Sequence, residues 1–466
     1  MERGLGVREN TGKPRRTESV GSHLDALRPV LGVVFLAGYV LYTFAPGSFG
    51  TELFLGVGAV LFVMSVPWSS SFHKAFALVA FVALGATIVS GRFEFADYYG
   101  GMPTYFGIVA VLLVLSIAGY PIRAARYEVQ IRALIAALTG RGVSVKTTAG
   151  ALGHVLGAVL DVGALVLIDV ITGRSAPRER PDALKWAGRA YSFAPLWTNL
   201  NLLTATTIVL TGVSYPSLLA VTLPFVFVGL AATLLFAQRE GGEGEEIPRT
   251  PLDRGAAAVL LYPVLLVSAV ALVNITFSAL PLTAAIAMTV VVIVVLIATL
   301  AAVLTRRVSP LVRLGQETRG SLATSHAEFA LFVSAGILVL SLKELGALAP
   351  LGALLSALPT ALVAPALAFI MAVGFVAGIH VIPMVLLLNT AFPLDGGPAP
   401  ALWAAALLLG SQSVLLLTPF STTVTMLSRL TGWHPLDVGP RRNLGFGLVV
   451  ALGALLYLGL LTLLLL

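Results

Sequence analysis

Long apolar stretches separated by short charged loops run the length of the chain and set out its elements in order. A helix needs about 20 apolar residues to cross a bilayer, with roughly 17 as a lower limit. On that scale residues 29–45, 51–67, 75–91 and 105–120 predict four spans. Residues 123–146 carry Val129, Ile131, Leu134, Ile135 and Leu138 at helical spacing with Arg132 on another face. That is the pattern of an amphipathic helix lying in the interface. Residues 143–172 are apolar but hold His154, Asp161 and Asp169, and the loop after them holds Arg174, Arg178, Arg180, Lys185 and Arg189. A single crossing would put that loop outside, against the positive-inside rule. The stretch therefore predicts a re-entrant hairpin with its tip near Gly153 and His154, lining protein or a watery cavity. Residues 191–212 predict a span broken at Pro195, because proline removes a helix hydrogen bond and clashes with the preceding turn. Residues 217–237 return.

Residues 238–254 are charged and rich in Gly and Pro, and they predict a cytoplasmic linker between a first half, 29–237, and a second, 255–466. From Gly255 to Thr305 no Asp, Glu, Lys or Arg occurs, and Pro263 and the region 278–281 divide this run into two spans. Arg306, Arg307, Arg313 and Arg319 place the next loop inside, and 329–342 crosses outward. A Leu/Ala/Pro stretch to about Leu358 sits where the interfacial helix sits in the first half. Residues 361–392 predict a second hairpin with its tip near Gly378 to His380, and 393–400 form an outer loop. Residues 401–427 predict a second broken span around Pro419, and 444–466 a last span ending outside.

The predicted fold class is an all-α polytopic membrane protein of about eleven spans, two re-entrant hairpins and two discontinuous helices. The halves match in order but run in opposite directions, an inverted repeat. His154 and His380 precede Pro195 and Pro419 at nearly equal distance, which suggests the same duplication. Composition agrees: 58% of residues are hydrophobic and 11% charged, with a mean hydropathy of +0.95. The net charge of +7 sits in short loops that orient helices, not in a block with interleaved aromatics, so nucleic acid is not a predicted partner. With no cysteine, thiol catalysis and zinc-thiolate sites are excluded. Residues 1–28 are polar and basic without an apolar core, and they predict a disordered cytoplasmic tail rather than a signal peptide. The expected location is the inner (cytoplasmic) membrane, with the N-terminus in the cytoplasm and the C-terminus outside.

Broken helices at matching positions of two halves point to a transporter's binding site. Thr198, Asn199 and Asn201 lie just beyond the first proline, and Thr418, Ser421, Thr422 and Thr423 surround the second. Half-helix N-termini there suit an oxyanion, although Ser and Thr in membrane helices also bond their own backbone. His154 and His380 join the candidate substrate site, since imidazole offers a donor and an acceptor and titrates near physiological pH. Asp161 and Asn389 are the ion-coupling candidates, because an intramembrane carboxylate is costly and marks function by default. Trp197 and Phe420 either close the pocket or only pack. Asn274, His326 and Glu328 form a second tier, the last two at a cytoplasmic helix end. No metal site is predicted, nor any cofactor beyond Na⁺ or H⁺ as coupling ion.

The order of interfacial helix, hairpin and broken helix in each half resembles the ion transporter superfamily, the divalent-anion/sodium symporters and their relatives. The resemblance covers residues 51–466 by organisation rather than by residues. It implies an elevator, with hairpins and broken helices moving as one body, and a homodimer. Where the best-known relatives carry Ser-Asn-Thr at the hairpin tips, this chain has Gly153-His154 and Gly378 to His380, which favours protons over sodium.

The expected function is secondary active transport of a small anion, an organic acid or oxyanion, coupled to H⁺ or Na⁺. A cation/proton antiporter is the runner-up, because Asp161 with His154 would serve proton exchange. The alternative of another class is a membrane-embedded enzyme acting on a lipid-linked substrate. Such enzymes need charged groups on a large outer loop, and the outer loops here are short. No Walker loop, HExxH or nucleotide-binding glycine pattern occurs, so an enzyme is not predicted.

Overall fold

The computed structural model describes residues 18–45, 47, 49–124, 127–241, 254–277, 280–392 and 399–465. The described residues form helices and connecting turns, with no strand. In chain order the helices are α1 Glu18–Phe44, α2 Phe49–Ser65, α3 Ser71–Val89, α4 Phe95–Ala118, α5 Tyr120–Ala124, α6 Tyr127–Thr139, α7 Val145–Leu160 and α8 Gly163–Ser175. Next come α9 Arg180–Tyr191, α10 Leu202–Thr211, α11 Tyr215–Glu240, α12 Arg254–Thr276, α13 Leu282–Thr305, α14 Ser309–Thr324 and α15 His326–Glu344. The chain ends with α16 Ala349–Ser356, α17 Thr360–Val376, α18 Val381–Ala391, α19 Pro400–Ser413, α20 Thr422–Thr431 and α21 Arg442–Leu465. Among the described residues, eight helical segments are long and apolar enough to cross a membrane. The chain is an all-α polytopic membrane protein.

Three sequence expectations change. Helix α1 begins at Glu18, so residues 18–28 are helical rather than tail, and Arg28 is buried with its guanidinium on the Met64 carbonyl at 2.6 Å. Residues 1–17, most of the linker and 393–398 lie outside the described residues. The basic segment 174–189 is mostly helix α9, the first arm of the broken helix, and the loop after α13 holds helix α14. The first hairpin turns at Asp161 and Val162, not at Gly153-His154. Gly153 serves a helix crossing instead: a Cβ there would lie 2.8 Å from the Ala187 carbonyl, so its absence lets α7 close onto α9. Small residues at such crossings supply the van der Waals packing that holds helices together in lipid.

Helices α1 to α4, α13 and α15 pack on one another around the Phe35, Phe54, Phe106 and Phe329 rings, and Tyr39 donates to Thr283 at 2.6 Å. The hairpin α7–α8 packs on α9, the hairpin α17–α18 packs through α17 on α19, and α10 and α11 join them on α19. At the second crossing Gly410 stands so close to α17 that a Cβ would meet Ala368 backbone. Both broken helices lie within this second group.

Candidate functional site

Each break is closed by side chains that replace lost backbone partners. In the first, Pro195 sits in a short 3₁₀ turn over residues 194–196, and its carbonyl accepts from the Thr204 hydroxyl. Tyr215 donates to the Trp197 carbonyl at 2.5 Å, and Thr198 donates to the Ala158 carbonyl at 2.9 Å while accepting from Leu200 N–H at 3.2 Å. Asn201 caps α10 by accepting from Leu203 N–H at 3.0 Å. In the second, Thr418 accepts from Phe420 N–H at 3.3 Å, and Ser421 caps α20 from Val424 N–H at 3.0 Å. Thr198 and Thr418, Asn201 and Ser421, and the left-handed C-caps Gly212 and Gly432 fall at one constant offset, which makes α10 and α20 counterparts. That register differs from the one suggested by His154/His380 and Pro195/Pro419.

A cavity of about 320 Å³ lies where the two tips meet the two breaks. Asp161 and Val162 from the first tip, His380 and Val381 from the second, and Asn201 and Ser421 from the breaks all line it. Thr422, Thr423 and Phe420 line it as well, and the opposite wall comes from α4 and α15 through Leu112, Leu331, Phe332 and Glu328. Helices α8, α10, α18 and α20 each start on this cavity, with Val162, Asn201, His380 and Ser421 as N-caps. A helix N-terminus presents free N–H groups and about half a positive charge, so the cavity holds four anion-seeking ends.

Asp161 stands at the tip itself, exposed to the cavity, where it had been expected two turns away. Its φ of 52° is a left-handed value that costs a non-glycine residue about 1–3 kcal/mol. The carboxylate is held by the Tyr191 hydroxyl and by Asn201 Nδ2 at 3.3 Å. Gly157 makes room for the Tyr191 ring, since a Cβ there would sit 2.5 Å from it. The second tip uses Gly378 at φ 91° for its turn, with the Phe420 ring lying against it.

His154 lies away from the cavity, inside α7. Its Nδ1 meets the Ala190 carbonyl at 3.1 Å, and its Nε2 accepts from Trp197 Nε1–H at 3.0 Å. A carbonyl only accepts and an indole N–H only donates, so the ring is the neutral Nδ1–H tautomer with both nitrogens used. Trp197 therefore braces the hairpin and does not close the pocket, whereas Phe420 stands at the cavity, 69% exposed. Thr198, Asn199 and Thr418 are fully buried behind the lining, and Asn199 has no partner for either side-chain atom. Asn389 is also outside, tied to the Leu210 carbonyl at 3.0 Å. Asp169 pairs with Arg180 at 2.6 Å, and Arg180 also reaches the Leu430 carbonyl.

Two lining residues were under-read. Gln412 is 7% exposed with its Oε1 unpartnered, and Glu328 has an unpartnered, water-shielded Oε2. An amide among the apolar residues of 400–413 was the available signal for Gln412. Glu328 was discounted by its position at a helix end, yet that first turn of α15 faces the cavity. Among the described residues no group of three or more His, Asp or Glu side chains is placed to hold a metal ion.

No protein-family model matches the chain, and no curated protein matches it. Among solved structures, the Alcanivorax borkumensis YdaH transporter aligns at 17% identity, covering 84% of this chain and 98% of that one, with a TM-score of 0.49. A likeness of that degree identifies neither activity nor substrate.

Proposed function

We propose that the chain is a secondary active transporter that carries a small anion, an organic acid or oxyanion, together with protons. One observation carries the reading: both hairpin tips and both helix breaks line a single cavity on which four helix N-termini end. Four half-charges are comparable to the combined charge of Asp161 and Glu328 when both are ionised. An added anion then leaves net charge in the membrane interior unless a carboxylate takes up a proton, which ties anion binding to proton binding. Asp161, the tip acid held by Tyr191 and Asn201, is assigned the coupling proton. Gln412 and the caps Asn201, Ser421 and His380 supply the polar contacts to the substrate.

The hairpins and broken helices move as one body against α1 to α4, α13 and α15, an elevator, and the resemblance to the ion transporter superfamily adds a homodimer. Cation/proton antiport is the second reading, favoured by the two carboxylates on one cavity. Thermal-shift screening of the purified protein against anions selects a ligand, since binding to the native state raises apparent stability. Proteoliposomes free of sodium then test the coupling. The expected result is accumulation of that anion driven by an inward proton gradient. Uptake that requires Na⁺ whatever the pH gradient rejects proton coupling, and dissipation of a pH gradient by alkali cations alone supports the antiporter.

A further inference from the structure

A second recess, about 410 Å³, lies between α9, α11 and α21 and shares no lining residue with the central cavity. Its walls are apolar, formed by rings such as Phe193, Phe225 and Phe446 and by α11 and α21 side chains that are exposed on the flank, among them Val228 and Val449. At one end stands Arg189. Its guanidinium lies 4.4 Å from the Trp186 ring and 5.3 Å from the Phe446 ring, and it donates to Asn443 Oδ1 and to the Arg442 carbonyl, both at 2.8 Å. Arg442, whose carbonyl Arg189 bonds, is exposed, and its guanidinium stacks 3.7 Å from the Trp433 ring. Glu240, the acid lining this end, is already taken by Lys185 at 3.1 Å and Trp186 Nε1 at 3.2 Å. Among the described residues, Arg189 donates to neutral atoms and Arg442 stacks on Trp433, while the nearby acids Glu240 and Asp182 are both paired with Lys185.

We propose that this groove binds an anionic phospholipid, with an acyl chain along α11 and α21 and the phosphodiester on Arg189 and Arg442. Guanidinium presents a fork of donors that matches phosphate oxygens, and basic pockets between membrane helices take anionic headgroups. Tryptophan beside them suits the headgroup level of a bilayer. The excess positive charge selects a net-anionic headgroup over a zwitterionic one, whose ammonium would face the arginines.

The test titrates the purified full-length protein in neutral detergent with phosphatidylglycerol, phosphatidylcholine and water-soluble glycerol phosphate, following melting temperature. Phosphatidylglycerol is expected to raise it saturably and the other two not to. Arg442→Gln keeps the backbone carbonyl that Arg189 uses, and it should weaken the effect at least fivefold. Gly445→Phe places a ring in the groove where a Cβ meets nothing within 4 Å, and it should abolish the effect with both arginines in place. Native mass spectrometry of the unaltered protein in a phosphatidylglycerol/phosphatidylcholine mixture, which depends on no variant folding, should retain phosphatidylglycerol selectively. Equal stabilisation or retention of the two lipids, an equal shift from glycerol phosphate, or a phosphatidylglycerol shift untouched by both substitutions overturns the proposal.

Discussion

The two hairpins reach the same cavity by different means. The first turns on Asp161, a residue that resists positive φ, and is fastened by polar contacts: Tyr191 and Asn201 on the carboxylate, Thr198 on the Ala158 carbonyl, and the His154 ring between Ala190 and Trp197. The second turns on Gly378 at little conformational cost and is packed mostly by apolar side chains, with His380 capping its own helix and Asn389 tied to the Leu210 carbonyl of α10. A strained acid braced from both sides of the first break is suited to hold one geometry through a change of charge. A glycine turn covered by an exposed phenylalanine is suited to open. We infer that the first hairpin carries coupling and the second carries access, and each prediction below is a way to break that division.

The largest effect is expected at Asp161. A gradient of about one pH unit is worth about 1.4 kcal/mol, so one proton per anion gives roughly tenfold accumulation in the parent. Asp161→Asn should accumulate nothing yet still exchange labelled for unlabelled anion, because exchange need not release the proton. Accumulation by the asparagine variant would remove Asp161 from coupling and with it the role given to the first tip.

Glu328 lines the cavity from α15, on the wall opposite the tips. For an assumed separation of about 8 Å and an effective dielectric of about 20, an ionised Glu328 opposes a bound anion by about 2 kcal/mol. Glu328→Gln should thus tighten anion binding by about thirtyfold, measured by calorimetry, and flatten its dependence on pH. Weaker binding would mean that Glu328 accepts a hydrogen bond from the substrate, and the charge balance proposed for the cavity would fall.

The all-α polytopic class was legible in the sequence because hydropathy acts over whole segments. Details decided by single contacts were less so. Gly153 beside His154 imitates a turn, and nothing local says that the glycine serves a crossing with Ala187 while the turn falls eight residues on at Asp161. The prolines mark the two breaks, but the geometry shared by the two halves is that of the caps, where Thr198 and Thr418 each accept from the N–H two residues on. Thr422 and Thr423 line the cavity, whereas Tyr191 and Glu328 join it through long-range packing that no local pattern encodes.

The histidines separate the two tips at the next scale. His154→Ala orphans a buried indole N–H and a carbonyl, which costs about 1–3 kcal/mol, and should lower melting temperature while leaving ligand affinity within about twofold. His380→Ala should do the reverse, leaving stability near the parent and weakening binding, since His380 lines the cavity and its one internal bond is a long cap of 3.4 Å. Loss of affinity at His154 with normal stability would put that ring back in the site.

The smallest contrast is between two threonines in the same register. Thr198 and Thr418 are both fully buried, and each accepts from the N–H two residues on, but only Thr198 also donates across to the hairpin, at Ala158. Alanine at either position loses the local bond, and at 198 it also strands a carbonyl near the first tip. One more buried hydrogen bond is worth about 1 kcal/mol, so Thr198→Ala should melt below Thr418→Ala by roughly 1–2 °C. The same bond ties the tip to the break, so Thr198→Ala should also loosen Asp161 and lower the ratio of anion accumulated to protons moved. Equal melting and equal coupling in the two variants would show that the first hairpin is held by packing alone, as the second is.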